Sequence, residues 1–543
     1  MNAGAPARRR LTRRTRTPGA LCAGLFLLPS LLDVPFHAAV SAGEPPLGGA
    51  VSDTIRGVVR WTRDATPHAV GGTLVIAPGA RLDIEPGVLV AMGEEASILV
   101  HGGLAAEGTE DDPVRFGPST PGVRWNAISG DAPTGPLRFE HCVIEGGRGV
   151  DWGWVDRGMI GIRNGSLTIA GCELRDGEEC ALLAVGSSLD LRDNVVRDFG
   201  DVGFSIRPGC AGAVQGNVMT RFGDDALNID GSRIDVIGNR LSEARDDAVD
   251  FDRSTGILRG NVISGARDAA LTAAGDDDTV LVENGLFFQN GIAFKVKDGA
   301  RATIVNSTIA DNDWSLQVLE TVAGAGGGWV DLRSSIVWGN ANDIDVDGAS
   351  AFTAAYSDVQ GEGVWPGEGN IHADPMFVDP ERNDFDIRPL SPCVDAALST
   401  SAPAADIHGA LRYDSPFHPN RGGGDKAYYD IGSDEYSPLL PGHPEPPPDS
   451  APLRLGPPFP NPFSDRASFQ LDLSEPTHVQ ARILTVDGRS VQDLGRGTFQ
   501  KGPVLWSWDG RDRSGAPVAS GAYVFVIETA AGRAVSRRVV YLR

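Results

Sequence analysis

Short runs in which apolar and polar residues alternate recur along the chain, while runs with helical periodicity are scarce. A longer rhythm lies over this alternation. Asparagines fall at Asn194, Asn217, Asn239, Asn261, Asn284 and Asn306, 22 or 23 residues apart. Ten and twelve residues after each comes a mostly apolar pair: Phe204/Ile206, Leu227/Ile229, Val249/Phe251, Leu271/Ala273, Phe294/Val296 and Leu316/Val318. A second apolar cluster precedes the asparagine, as in Ile234 to Ile237, and a third often follows it, as in Val262-Ile263. Alternation puts one side of each strand inward. The pattern therefore predicts three short strands per 22-residue coil, each stacked on its counterpart about 4.8 Å away. The six asparagines are expected to form one ladder, each side chain bonding to the next. A leucine-rich repeat is the rival, but its Leu-rich consensus is absent.

These features resemble the right-handed parallel β-helix, or pectin-lyase-like, superfamily of exported bacterial proteins. Gly72 to Gly79 and Leu82 to Gly87 look like its opening coils, and Leu104 to Thr109 with Pro113 to Phe116 continue them. Asn370 to Pro380, Ser391 to Asp395 and Tyr429 to Tyr436 resemble its closing segment. Asp406, Arg412, Asp430 and Asp434 are expected to make closing salt bridges. The resemblance spans roughly residues 50–436 and implies an all-β fold without naming a reaction.

Residues 437–452 form a proline-rich linker, extended and semi-rigid. Beyond it, residues 453–543 alternate at Ser468 to Leu473, Val479 to Val486, Val504 to Trp508 and Tyr523 to Glu528, with a tight-turn signal at Asp487-Gly488. This predicts an Ig-like β-sandwich. Phe459 to Phe463, Val486 to Arg489, Trp508 to Asp512, Ala519 to Tyr523 and the basic–apolar end Arg537 to Arg543 occur in the order of the FlgD-type Ig-like domain. That domain is similar to type IX secretion C-terminal sorting domains. The resemblance implies either contact with secretion machinery or an adhesive appendage, and the Arg-rich end departs from the usual Lys-rich sorting end.

Composition adds a location. Six arginines between Arg8 and Arg16 precede an apolar stretch from Ala20 to Leu32, and Val40-Ser41-Ala42 offers a cleavage site. Residues 1–42 thus read as a signal peptide, leaving residues 43–436 for the β-helix. The apolar run is too short for a membrane span. Its removal takes the net charge from −24 to −29, which argues against nucleic acid and for cations or glycans. The five remaining cysteines lack metal-type spacing and are expected to be small buried residues, with one disulfide open. The protein is expected to be an exported or cell-surface monomer.

Candidate chemistry gathers on one strand of each coil. Its outward positions read Ser205/Arg207, Asn228/Asp230, Asp250/Asp252, Thr272/Ala274 and Lys295/Lys297. Acids recur in the turn before it: Glu178-Glu179, Asp201, Asp224-Asp225, Asp246-Asp247 and Asp268. Stacked carboxylates repel unless a cation or protons intervene. Asp224, Asp225, Asp246 and Asp247 are therefore candidate calcium ligands, or else solvated turn residues with Asx capping roles. Asp230, Asp250 and Asp252, with Arg207 and Lys295, are candidates for polysaccharide lyase or glycoside hydrolase chemistry. Gly223-Asp224-Asp225 is similar to a segment of polygalacturonases, but their other motifs are absent, and no histidine falls within residues 142–371. Trp152 and Trp154 sit in an insertion and are candidates either for stacking on a sugar ring or for covering the core where the period lapses. Two functions stay open: a glycan-binding or structural surface protein with an acidic, calcium-loaded face, and a polysaccharide-degrading enzyme.

Overall fold

The computed structural model describes residues 53–436 except 154–155, 277, 389–390, 401 and 416–417. It also describes residues 453–543 except 456–457, 459, 462, 474–475, 486–488 and 530–533. The expected signal peptide, the linker, Trp154 and the Asp487-Gly488 turn lie outside the described residues.

The first unit is a coil of three parallel sheets, A, B and C, each with 13 strands, the chain visiting them in turn. Every strand pairs with the one three positions on, so each rung rests on the next. The inward row of sheet A runs Phe204, Leu227, Val249, Leu271, Phe294 and Leu316 in register. All six are fully buried. The expected apolar pairs are this row and its neighbour.

From Gly171 onward, corners between sheets B and C are two residues long, and they revise the asparagine ladder. The first corner residue has positive φ: Asp193, Gly216, Gly238, Gly260, Asn284, Asn306 and Ser334. The second points inward and bonds to its counterpart. Here Asn194, Asn217, Asn239 and Asn261 form the ladder, Nδ2 of each donating to Oδ1 of the next at 2.9–3.1 Å. Asn284 and Asn306 are not in it. They occupy the left-handed corner position, which asparagine tolerates well, and the ladder continues through Ser307, Ser335 and Ser357. The Nδ2 groups of Asn284 and Asn306 reach instead to the carbonyls of Ala405 and Asp430. The same two-residue device recurs after sheet C, where Asn290, Asn312 and Asn340 form a second ladder.

Past the last rung, Phe377–Asp379 and Asp384–Ile387 pair as a hairpin. The following chain docks back on the coil. Arg412 is buried against Glu435 at 2.9 Å. The expected acids behave differently from salt-bridge partners: Asp406, Asp430 and Asp434 accept backbone N–H groups, from His408 and Ala410, from Asp395 and Tyr436, and from Ile387. The five described cysteines are free and buried, so no disulfide forms among them.

The second unit has a three-stranded antiparallel sheet and a four-stranded one, enclosing Phe469, Trp508, Phe525 and Tyr541. Strands Ser490–Phe499 and Ala534–Tyr541 complete the four-stranded sheet beside the expected ones. Tyr523 donates its hydroxyl to the Ala519 carbonyl, and Trp508 its indole N–H to that of Arg511. Among the described residues, no helix is long and apolar enough to cross a membrane.

Candidate functional site on sheet A

The outward row of sheet A runs Ser205, Asn228, Asp250, Thr272, Lys295 and Gln317, one residue per rung. A parallel row carries Asp230, Asp252, Ala274 and Lys297. Strand alternation puts these side chains outside because their neighbours Leu227, Ile229, Val249 and Phe251 fill the core. Asp230, Asp250 and Asp252 are thus brought together as the sequence predicts.

The candidate cations are already engaged. Arg207 forms an ion pair with Asp156 and donates to Asn228 Oδ1 at 3.1 Å. Asp156 is buried at 5% exposure and also takes the Ser205 hydroxyl. It comes from the insertion at 147–157, where no periodic spacing marks it. Lys295 pairs with Asp268 in the preceding turn. Arg253 bridges Asp230 at 2.7 Å and Asp252 at 3.1 Å.

Described residues of the insertion pack on sheet A before this row. Trp152 lies on Gly161, where a Cβ would come within 3.0 Å of the indole and 2.5 Å of Val150. The guanidinium of Arg163 sits 5.4 Å from the Trp152 ring centre. Trp152 therefore covers sheet A at Gly161, two rungs before Ser205.

The turn acids divide into two kinds. Asp225 Oδ1 accepts the backbone N–H of Asp247 at 2.9 Å, and Asp247 Oδ1 that of Ala269 at 2.7 Å. These two are a third ladder at the corner between sheets C and A. Asp224 and Asp246 lie further out. One oxygen each from Asp224, Asp225 and Asp246 fall within 4.8 Å of one another, as do those of Asp246, Asp247 and Asp268. The adjoining glycine has a packing reason: a Cβ on Gly223 would sit 1.7 Å from the Gly200 carbonyl oxygen. In Gly223-Asp224-Asp225, close approach accounts for the glycine and the ladder for Asp225.

Burial and neighbouring carboxylates raise these acids. Burial is the main cause at Asp225, pushed up to about 8, with Asp250 and Asp247 adding. Asp247 rises to about 6, chiefly by burial. Asp250 rises to about 7 by burial and the Asp247 charge, against the pull of Lys297. Such groups hold protons in the folded state that the unfolded chain has released above pH about 4. Their stabilising contribution is full below that pH and is lost as pH rises through 6 to 8. The β-helix is expected to melt several degrees higher at pH 5.5 than at pH 8.5. Asp225→Asn keeps the Oδ1 acceptor without the charge, so it should raise the pH 8.5 midpoint and flatten the profile. Thermal scans across pH check this, and an unchanged profile contradicts it.

Comparison with known proteins places both units. Residues 187–359 match the family model of the right handed beta helix region, and residues 463–533 that of the FlgD Ig-like domain. This is a right-handed parallel β-helix repeat protein. In particular, it is one that carries a C-terminal FlgD-type Ig-like domain. No curated protein matches the sequence. Among solved structures, the chain is similar to a mutant of the periplasmic alginate epimerase AlgG at 11% identity and TM-score 0.40, covering 55% of this chain and 84% of that one. It is similar to the enzymatically active domain of Bacteriophage CBA120 tailspike protein 2 at 11% identity and TM-score 0.29, covering 87% and 72%. The Azotobacter vinelandii mannuronan C-5 epimerase AlgE6 A-module matches at 12% identity and TM-score 0.21, covering 58% and 98%.

Proposed function

We propose that this is an exported glycan-binding protein that holds a polysaccharide chain along the outward face of sheet A. One observation carries the reading: Asn228, Asp250 and Lys295 are part-exposed members of a straight polar row whose other rungs carry the buried hydroxyls of Ser205 and Thr272. Rungs repeat about every 4.8 Å, so an extended polymer lying along the row meets Asn228, Asp250 and Lys295 at one- and two-rung spacings. The ion pairs Arg207–Asp156 and Lys295–Asp268 fix the row before ligand arrives, which lowers the ordering cost of binding. Trp152 provides a ring face at one end. The reading extends to calcium: Asp224, Asp225, Asp246 and Asp247 supply the oxygen ligands the ion prefers, and chelation is expected to weaken glycan binding. The Ig-like domain serves as the surface attachment or sorting module.

A second reading, glycoside cleavage by hydrolysis or elimination, is favoured by Asp250 specifically. A carboxyl near pH 7 in the middle of the row is suited to donate or accept a proton, with Asp252 or Asp230 as the second carboxylate. The experiment is a panel of acidic and neutral polysaccharides, read both for retention of the protein and for new reducing or unsaturated ends. Wild type is expected to bind at least one polymer, and Asp250→Asn to lose about tenfold in affinity. If turnover accompanies binding, the same variant should lose about 100-fold or more in rate. Failure to bind any polymer, with the fold intact, overturns both readings.

A further inference from the structure

The closing segment carries a second cluster of ionisable groups, remote in sequence from sheet A. Asp386 stands on the strand Asp384–Ile387, His408 in the turn capped by Asp406, and Asp434 near the end of the segment. His408 Nε2 lies 2.9 Å from Asp386 Oδ1 and 4.0 Å from Asp434 Oδ1. One ligand atom from each of the three falls within 4.8 Å of the others. Four-coordinate zinc has bonds of about 2.0–2.2 Å to nitrogen and oxygen, which puts its ligands roughly 3.3 Å apart. The triad needs only small side-chain adjustments to meet that spacing.

The surroundings hold the three groups in place. Asp406 accepts the backbone N–H groups of His408 and Ala410 with one oxygen and that of Glu435 with the other, which fixes the turn without entering the cluster. Asp434 commits Oδ2 to the Ile387 N–H, leaving Oδ1 toward the imidazole. Asp434 is nearly buried at 6% side-chain exposure, whereas His408 and Asp386 are 43% and 33% exposed. The cluster thus has a closed back at Asp434 and an open front at His408 and Asp386.

We propose that Asp386, His408 and Asp434 form a binding site for a first-row divalent cation, zinc foremost, that clips together three stretches of the closing segment. One imidazole and two carboxylates are a borderline ligand set, which suits zinc and disfavours calcium, an ion that takes oxygen ligands. The competing occupant is a proton. The carboxylates of Asp386 and Asp434 beside the imidazole gather negative charge that draws a cation to this position. Zinc binding releases that proton to the buffer. By joining strand, turn and terminal segment, the ion stabilises the folded state by mass action.

The test uses the full chain, stripped with a chelator, and zinc alone as the probe. Calorimetry is expected to give one zinc per chain, with a heat that depends on the buffer's ionisation enthalpy. The thermal midpoint should rise with zinc and not with calcium, and cobalt in place of zinc should give the visible absorption of a four-coordinate ion. His408→Ala and Asp386→Asn should each weaken zinc binding at least tenfold, and His478→Ala, in the Ig-like domain, should not. Asp386→Asn keeps the shape of a partly exposed side chain and guards against misfolding of the histidine variant. An ion triad only, seen as no stoichiometric zinc or as zinc binding unchanged in both variants, would overturn the proposal.

Discussion

Replacing Asn239 by alanine is expected to destabilise the β-helix by about 3–6 kcal/mol, more than most core truncations. Its Oδ1 accepts both the backbone N–H and the Nδ2 of Asn217, at 2.9 and 3.0 Å. Its Nδ2 donates to the Val214 carbonyl and to Asn261 Oδ1, at 2.8 and 3.1 Å. Alanine strands the Asn217 N–H, weakens three further buried groups and leaves a cavity. Of those three, Asn217 Nδ2 keeps the Leu191 carbonyl and Asn261 Oδ1 keeps the residue 239 N–H; a stranded group alone costs about 1–3 kcal/mol. Neighbouring rungs contact one another directly, so the loss should spread along the coil rather than stay at one corner. Denaturant titration reads the effect, and hydrogen exchange should quicken in the rungs carrying Asn217 and Asn261. Gly238→Ala is the control: it strains only a left-handed corner with open space around it, for about 1 kcal/mol. An Asn239→Ala cost below that of the control would contradict the ladder.

Arg412→Met should be nearly as damaging, by about 3–5 kcal/mol, because it strands a buried carboxylate. The Arg412 and Glu435 side chains are 2% and 0% exposed. The guanidinium points in three directions: to Glu435, to Asn284 Oδ1 on the coil and to the Pro403 carbonyl. Its carbon lies 5.2 Å from the Tyr429 ring centre. Lysine carries the charge without the fork, so Arg412→Lys should fail to restore stability. The expected reading is rapid proteolysis within residues 374–436 while the rungs stay protected. Equal resistance of variant and wild type would show that the closing segment does not depend on this pair.

Much of the fold was legible because a coil writes its period into the chain. Phe204, Leu227, Val249, Leu271, Phe294 and Leu316 must all face inward, and the chain returns to sheet A after 22 or 23 residues. The asparagine ladder was legible only in part. Both residues of the corner between sheets B and C favour asparagine, one for its tolerance of positive φ and one for its amide. Spacing alone cannot separate Asn261, in the ladder, from Asn284, in the corner. The outward row of sheet A followed from alternation, so Asn228, Asp230, Asp250 and Asp252 were found. Asp156 was not, because an insertion has no period to reveal where it returns. Nor was the role of Asp225 and Asp247, whose carboxylates look solvated in sequence but bind backbone N–H groups one rung on. His408 was missed for the same reason as Asp156: three separate stretches converge there without a spacing motif.

The most direct test of sheet A as the glycan site is a crystal structure of the protein with an oligosaccharide of the polymer it retains. The sugar rings are expected along the row from Ser205 to Lys295, with a ring against Trp152 in the longer ligands. Density for the oligosaccharide on sheet B, on sheet C or on the Ig-like domain, with sheet A bare, would contradict the account.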